Sequence, residues 1–270
     1  MSRIDKTFGE LRAARRPGLV TYVTAGDPDL VRSREVVLAL ARAGADVIEV
    51  GVPFSDPIAD GPAIQRASER ALAAGSHLHA SLDLVESVRK TIDTPIVLFS
   101  YVNPVLRMGV RAFANRAASV GVDGVLLLDL PIEEAESTRR DLGALDLIFL
   151  VSPTTTERRL REAGRLGRGF LYAISRLGVT GTRDAVSTSA KPLVDRIRAV
   201  TSLPVALGFG VSRPEHVAEV GAYADAAVVG SAIVQTIQKT AANGGNVAGE
   251  VEQFVKWLRH GRDLEPPHAH

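Results

Sequence analysis

Eight short hydrophobic runs recur along this 270-residue chain, and a longer stretch with helical spacing of apolar residues follows each run. The runs are nearly continuous in apolar residues, which is typical of parallel strands that are covered on both faces. They lie at residues 19–25, 46–51, 95–101, 123–129, 146–152, 169–175, 204–210 and 225–231. Eight strand–helix repeats in a chain of this length predict an α/β fold, the closed (β/α)8 or TIM barrel. An open doubly wound sheet is the alternative, but it usually has fewer strands, and no strand here carries the charges of a sheet edge.

Glycine and proline mark the predicted helix boundaries. One helical pattern stops at Gly44 and another at Gly121, the residue type preferred just past a helix end. Pro214 stands where a helix is expected to begin. No Pro/Gly/Ser-rich linker divides the chain, so we expect one barrel domain over residues 1–270. Within it we expect an extra N-terminal helix over residues 1–16 and a frayed tail over residues 265–270.

Composition narrows the function classes. The chain is 46% hydrophobic, with a mean hydropathy of +0.10, so it has enough apolar residues for one large core. Its 32 basic and 31 acidic residues leave a net charge of +1, which favours neither nucleic acid nor an anionic membrane as a partner. There is no cysteine, no apolar run long enough to cross a bilayer and no secretory signal pattern. We therefore expect a cytoplasmic protein, and the six scattered histidines predict no metal site.

The second strand and the loop after it carry the strongest candidates for chemistry. Glu49 lies in the apolar run, and Asp56 and Asp60 lie in the Pro-rich loop that follows it. Burial and neighbouring like charge would set the pKa of such an acid, which suits proton transfer. The alternative is that Glu49 is paired in a core network, while Asp56 and Asp60 only shape turns.

Further candidates lie at other strand ends. In a (β/α)8 barrel the working residues lie at the carboxyl ends of the strands, so Tyr101, Asp129 and Tyr172 are predicted to reach the same mouth as Glu49 and to bind substrate. The tyrosines are equally explained as packed core rings, and Asp129, which precedes Leu130 and Pro131, as a turn residue.

Glycines follow the last three strands, at residues 178–181, 208–210 and 229–231. Backbone N–H groups approach an anion closely at such positions, and a helix that begins at Gly230 and Ser231 adds the partial positive charge of its N-terminus. We therefore predict a phosphate site there. The long sixth loop, rich in Gly, Ser and Thr, is predicted to act as a lid, with Arg176 and Arg183 at its sides.

These segments together resemble the α subunits of tryptophan synthases. The resemblance runs nearly end to end, and it is most specific over EVGVPFSDPIADGPAIQ, residues 49–65. Other matching segments are TYVTAGDPD (21–29), SRLGVTG (175–181), LGFGVS (207–212) and VVGSAIV (228–234). The resemblance implies a (β/α)8 barrel with an extra N-terminal helix that cleaves indole-3-glycerol phosphate to indole and glyceraldehyde 3-phosphate. It also implies an α2β2 complex in which indole passes to a pyridoxal-phosphate-dependent β subunit, with no cofactor in this chain.

The resemblance further implies individual roles. Glu49 matches the catalytic acid and base, and Asp60 matches the second catalytic carboxylate. Asp56 matches a contact with the β subunit. Four residues match phosphate-binding positions: Gly181, Gly210, Gly230 and Ser231. Three more match pocket or lid positions that contact substrate or Asp60: Tyr22, Tyr172 and Thr180. Tyr22 departs from the phenylalanine of many members, and Leu177 differs from the common lid residue.

Three other readings stay open. A free-standing indole-releasing lyase would share every catalytic residue and differ only at the partner surface. A phosphosugar isomerase or epimerase would use other acid, base or metal residues at the strand ends. A non-catalytic ligand-binding subunit is compatible with the same fold.

Overall fold

The computed structural model describes residues 1–174, 189–208 and 210–261, and in it eight parallel strands close into a barrel in chain order. The strands are β1 Gly18–Thr24, β2 Val47–Gly51, β3 Ile96–Ser100, β4 Gly124–Leu127, β5 Asp146–Val151, β6 Leu171–Ile174, β7 Val205–Gly208 and β8 Ala226–Val229. The last strand pairs with the first, Leu19 lying opposite Ala227, so the sheet has no free edge. The predicted (β/α)8 barrel is confirmed, and the doubly wound alternative is wrong.

Helices surround the barrel and cover its outer face. They are α1 Arg3–Ala13, α2 Leu30–Arg42, α3 Pro62–Ala73, α4 Leu78–Arg89, α5 Val102–Met108, α6 Val110–Ser119, α7 Ala135–Leu142, α8 Glu157–Leu166, α9 Ala190–Arg198, α10 Pro214–Gly221, α11 Ser231–Ala242 and α12 Val247–His260. Gly44 and Gly121 follow α2 and α6 at φ of 90° and 88°, a conformation that glycine adopts without a steric cost. The predicted helix ends at these two glycines are confirmed.

The strands are almost wholly buried, because one face meets the helices and the other fills the barrel. Parallel register places Tyr22 opposite Glu49, so these two side chains share the inner face. Below them lies an apolar cluster that fills the lower half of the barrel. Its strand members are Val20, Val47, Val97, Leu126, Ile148, Ala206, Ala226 and Val228. The lower half is therefore a packed core, and only the upper half is open to polar groups.

The N-terminal helix closes the lower end of the barrel. Phe8 of α1 packs against Phe170 with their ring centroids 5.5 Å apart, and Ile4 is fully buried in the same cluster. The side chains of Ser2 and Asp5 form a capping box that begins the helix. The helix ends earlier than the predicted residue 16, because Arg15 has a φ of 52° and Pro17 follows. The predicted tail, residues 265–270, lies outside the described residues.

Candidate active site

Glu49 lies in the middle of β2 and points into the barrel above the apolar cluster. Its exposed fraction is 0%, and within the described part of the chain neither carboxylate oxygen has a hydrogen-bond partner. Burial raises the pKa of Glu49 to about 8, because ionisation there would place an unsolvated charge in the core. The direction of this shift is the one expected from desolvation, and among the described residues Glu49 is not paired in a core network. At neutral pH this side chain carries a proton.

Asp60 lies in the loop between β2 and α3. The Tyr101 hydroxyl donates to Asp60 Oδ2 at 3.2 Å and also accepts from the Ala59 N–H at 3.0 Å. Burial raises the pKa of Asp60 to about 6, and the Tyr101 hydrogen bond lowers it against that effect. Asp60 is therefore ionised at pH 7 while Glu49 is protonated. Glu49 is fully buried, whereas Asp60 is only partly buried and has the Tyr101 donor, and both differences favour ionisation of Asp60.

Two inward tyrosines stand over glycines of neighbouring strands. A Cβ atom added to Gly51 would lie 2.1 Å from the Tyr22 hydroxyl, and one added to Gly208 would lie 2.5 Å from the Tyr172 hydroxyl. The missing side chains thus provide the space for both hydroxyls. Burial raises the pKa of Tyr22 and of Tyr172, and the negative charge of Glu49 acts on both in the same direction. The strand register places both tyrosines on the inner face of the barrel, as it does Glu49.

Phe99 of β3 is a pocket residue that the sequence analysis did not single out. Its ring meets Tyr22 edge-on, with the centroids 5.1 Å apart. The two rings, with Ala63 and Ala67 of α3 and Val234 of α11, form an apolar patch above Glu49. The alternation of Val97, Phe99 and Tyr101 along one face of the third run was the available signal.

Tyr101 and Asp129 lie just beyond the ends of their strands. β3 ends at Ser100 and β4 at Leu127, so both residues belong to the loops that follow. The Tyr101 ring stacks on Phe54, with the centroids 5.0 Å apart. The exposed Asp129 accepts a 2.7 Å hydrogen bond from the Val102 N–H at the start of α5. In the structure Asp129 therefore binds the first N–H of α5. Its contact with substrate stays a prediction.

The loops after the last strands have the geometry that suits an anion. Gly210 adopts a φ of 75°, a conformation that favours glycine. Gly230 precedes α11, whose first residue is the exposed Ser231, and no side chain in the described ranges caps this helix. The first-turn N–H groups of a 12-residue helix are thus left without a side-chain acceptor. The predicted lid, with Arg176, Leu177, Thr180, Gly181 and Arg183, lies outside the described residues.

A second surface lies on the outer side of the same loop that carries Asp60. Asp56 is exposed and accepts a 2.7 Å hydrogen bond from the Ser55 hydroxyl. Ile58 is 87% exposed and Leu106 is 58% exposed, unusual values for large apolar side chains. Next to them lies a cavity of about 480 Å³ lined by Pro53, Phe54, Ser55, Leu72, His77, Leu78, His79, Pro104, Arg107 and Met108. Neither Glu49 nor Asp60 lines this cavity.

Metal-binding clusters and membrane-spanning helices can be assessed for the described residues. Among them, no three His, Cys, Asp or Glu side chains come together as a group that would hold a metal ion. No helix in the same ranges combines the length and the apolar character needed to cross a membrane.

The fold and the position of these side chains define a (β/α)8-barrel protein with a candidate acid–base centre at the carboxyl ends of its strands. A family model described as "Tryptophan synthase alpha chain" matches residues 8–262. The tryptophan synthase alpha chain of Geobacter sulfurreducens is 51% identical over 262 residues, which cover 96% of this chain and 98% of that one. The alpha chain of Solibacter usitatus is 47% identical over 263 residues, covering 97% and 98%. This chain belongs to the tryptophan synthase alpha chain family.

Solved structures agree with this assignment. The crystal structure of tryptophan synthase subunit alpha from Legionella pneumophila matches with a TM-score of 0.90 and 36% identity, over 97% of this chain and 99% of that one. A structure of Mycobacterium tuberculosis tryptophan synthase matches with a TM-score of 0.87 and 39% identity, over 98% and 99%. The predicted family, and with it the lyase function in tryptophan biosynthesis, is confirmed.

Proposed function

We propose that this lyase cleaves indole-3-glycerol phosphate to indole and glyceraldehyde 3-phosphate, with Glu49 and Asp60 as its two catalytic carboxylates. One observation carries the proposal. Glu49 is fully buried, has no hydrogen-bond partner among the described residues, and has a pKa raised to about 8. An acid of this kind is protonated at neutral pH and free to give its proton to a substrate.

Glu49 acts first as the acid. Its proton goes to indole C3, which makes an indolenine with a positively charged, electron-demanding ring. The bond from C3 to the glycerol carbon then breaks, and its electron pair returns to the indole ring. The adjacent glycerol hydroxyl loses its proton to the Glu49 carboxylate as the aldehyde forms. Glu49 is thereby reprotonated, and the reaction needs no other acid or base.

Asp60 acts as the fixed negative charge. Ionised at pH 7, it accepts a hydrogen bond from the indole N–H and stabilises the positive charge that develops on the nitrogen. The Tyr101 hydroxyl holds its Oδ2 atom and leaves Oδ1 for the substrate. The requirement for one protonated and one ionised acid is met by burial without a donor at Glu49 and by the Tyr101 donor at Asp60.

The rest of the substrate is held between an aromatic wall and an anion site. Tyr22, Phe99 and Tyr172 provide apolar surface for the indole ring. The phosphate lies against the start of α11 at Gly230 and Ser231 and against Gly210, with Gly181 of the lid as a fourth contact. Thr180, which lies outside the described residues, is proposed to contact Asp60 as the resemblance implies. Asp129, just beyond the end of the fourth strand, is a proposed contact to the substrate.

The outer side of the loop that carries Asp60 is the docking surface for a β subunit. Ile58 and Leu106 are large apolar side chains that are exposed to solvent near Asp56 and an apolar cavity. Burial of these side chains against a protein partner would be favourable. This chain needs no cofactor for the cleavage, and pyridoxal phosphate belongs to the partner in the proposed α2β2 assembly. A cytoplasmic location is part of the same proposal.

Indole release from indole-3-glycerol phosphate tests the function directly. Purified wild-type protein should release indole, and Glu49→Gln and Asp60→Asn should each lower kcat by about 100-fold or more. Both variants replace an acid by its amide of the same size, so glycerol 3-phosphate should still bind to them. A folded Glu49→Gln protein that keeps wild-type turnover would refute the role of Glu49.

A free-standing lyase is separated from a docked subunit by adding a β subunit. We expect a higher rate with the β subunit present, and Ile58→Asp should abolish the increase while leaving the rate of the isolated chain within about twofold of wild type. Arg66→Gln, which also lowers the net charge by one and lies on the exposed side of the adjacent helix α3, is the charge-matched control. An equal rate with and without β subunit would favour the free-standing enzyme.

A further inference from the structure

The loop that carries Asp60 is held on its inner side by one side chain of α3. The Gln65 amide Nε2 donates to the Asp60 carbonyl at 2.9 Å and to the Pro57 carbonyl at 3.4 Å. The Asp60 N–H also donates to the Pro57 carbonyl at 3.1 Å. Gln65 thus joins the two ends of a tight turn whose last residue is the candidate catalytic carboxylate. Its contacts are with backbone atoms, so they set where the Asp60 side chain begins.

Helix α3 is in turn anchored at its far end. Arg70 forms two hydrogen bonds with Asp27, of 2.8 and 2.9 Å, in the loop after β1. The Asp27 side chain is fully buried, and that of Arg70 is 28% exposed. A bidentate pair of this kind fixes orientation as well as distance. The helix therefore has little freedom to slide or rotate relative to β1.

Small residues bring the middle of the same helix close to the pocket. Ala63 and Ala67 pack against Tyr22 of β1 and Val234 of α11. Because alanine side chains are small, the helix backbone lies close to the pocket wall. A contact packed this closely transmits a small displacement of the helix to the pocket. The Gln65 hydrogen bonds, the Asp27–Arg70 pair and the packing of the two alanines together make α3 a rigid support for the turn at residues 57–60.

We infer that Gln65 is a positioning residue for the cleavage reaction: through α3, it holds the Asp60 carboxylate at the point where it meets the indole N–H. The inference rests on the proposed function. Gln65 touches no substrate atom and acts only through the backbone of Asp60. A misplacement of about 1 Å in a reacting group can cost on the order of 100-fold in rate. Loss of the amide donor should therefore lower turnover, although the acid itself remains.

Gln65→Leu tests the inference, because leucine is similar in size and cannot donate a hydrogen bond. Arg66→Leu places the same side chain on the exposed side of the same helix and is the matched control. We expect Gln65→Leu to lower kcat for indole release by about tenfold or more, and Arg66→Leu to stay within about twofold of wild type. The affinity for glycerol 3-phosphate, measured by calorimetry, should be unchanged in both, since the anion site lies at α11.

A second measurement separates positioning from general support of the fold. Indole-3-propanol phosphate keeps the indole N–H and the phosphate but lacks the glycerol hydroxyls and is not cleaved. Gln65→Leu should weaken its binding in the wild-type background and cause a smaller loss in an Asp60→Asn background, because the hydrogen bond that both changes affect is already weakened there. Gln65→Glu, which keeps the shape and loses the donor, replaces Gln65→Leu if thermal melting shows that the leucine variant is unfolded.

Each other outcome counts against the inference. Wild-type kcat in a folded Gln65→Leu protein would show that the turn holds its place without the amide. Equal losses in the wild-type and Asp60→Asn backgrounds, or a parallel loss of glycerol 3-phosphate affinity, would show a general structural role. If the wild-type protein released no indole, the proposed function would fail first, and that result is distinct from an active enzyme indifferent to Gln65.

Discussion

Replacing Glu49 by glutamine should remove a pH-dependent part of the free energy of unfolding. The buried carboxyl group is stable in the fold only with its proton, whereas in the unfolded chain it ionises as an ordinary acid. Glutamine has the same size and no ionisation. The difference in stability between wild type and Glu49→Gln at each pH therefore isolates the cost of ionising Glu49, because the other titrating groups are the same in both proteins.

The size of the effect follows from the pKa of Glu49, which burial raises from 4.5 to about 8. Each pKa unit corresponds to about 1.4 kcal/mol, so the full effect is about 5 kcal/mol. The folded state binds this proton more tightly than the unfolded state does. The contribution of Glu49 is therefore fully present below about pH 4.5, falls as the pH rises, and is lost above about pH 8.

Urea unfolding of both proteins between about pH 5 and pH 9 measures this difference. Relative to Glu49→Gln, wild type should lose about 1.4 kcal/mol per pH unit and level off above about pH 8. Ser100→Ala, a neutral substitution at a buried residue of the next strand, provides a reference whose difference from wild type stays constant with pH. If the Glu49→Gln difference also stayed constant to about 1 kcal/mol, the carboxyl group would titrate normally, and its role as a proton donor at pH 7 would be refuted.

Three further predictions follow from the geometry of the site. The pH profile of kcat/KM should be bell-shaped, rising as Asp60 ionises near pH 6 and falling as Glu49 loses its proton near pH 8; a rate that stays flat from about pH 5 to pH 9 would contradict the assignment of the two acids. Gly230→Asp should weaken glycerol 3-phosphate binding by about tenfold or more, because the added carboxylate repels phosphate. Thermal stability should not fall, because an aspartate caps the start of α11 well. Gly230→Ala is the control, since its Cβ atom would lie 3.4 Å from the nearest atom, an ordinary van der Waals contact. Gly208→Ala should destabilise the protein by about 1–3 kcal/mol, because the added Cβ would lie 2.5 Å from the Tyr172 hydroxyl. Tyr172→Phe in the same chain should recover part of that loss, because it removes the hydroxyl. Equal destabilisation by Gly208→Ala with Tyr172 and with Phe at position 172 would contradict this contact.

The predicted strands agree with the observed ones to within about two residues at their described ends. The third run, predicted at residues 95–101, is a strand over Ile96–Ser100, and the eighth, predicted at residues 225–231, is a strand over Ala226–Val229. Agreement is close because a parallel strand covered on both faces requires an unbroken apolar run, and such runs are visible in the sequence. The second run also located Glu49, since a carboxylate inside such a run is conspicuous.

The sequence was less informative about side chains near the strand ends. Asp129 and Tyr101 were both predicted to line the mouth, yet the first meets the Val102 N–H and the second bridges Ala59 and Asp60. The sequence pattern did not indicate a role for Gln65, although its side chain contacts the backbone of a candidate catalytic residue. An acid, a phenol or an amide at a loop position has many potential partners, and its neighbours in space decide among them.

The amino-acid sequence by itself determined the barrel, its helix boundaries at glycine and proline, and the family to which the chain belongs. These features depend on local patterns of apolar, small and rigid residues, and each pattern is complete within its own segment of the sequence. Only the tertiary structure decided that Glu49 is fully buried without a hydrogen-bond partner in the described part of the chain and keeps its proton, whereas Asp60, eleven positions further on, has a donor and loses its proton. Solvent exclusion and hydrogen bonding at a point in space are set by segments far apart in the chain, so no local pattern encodes them.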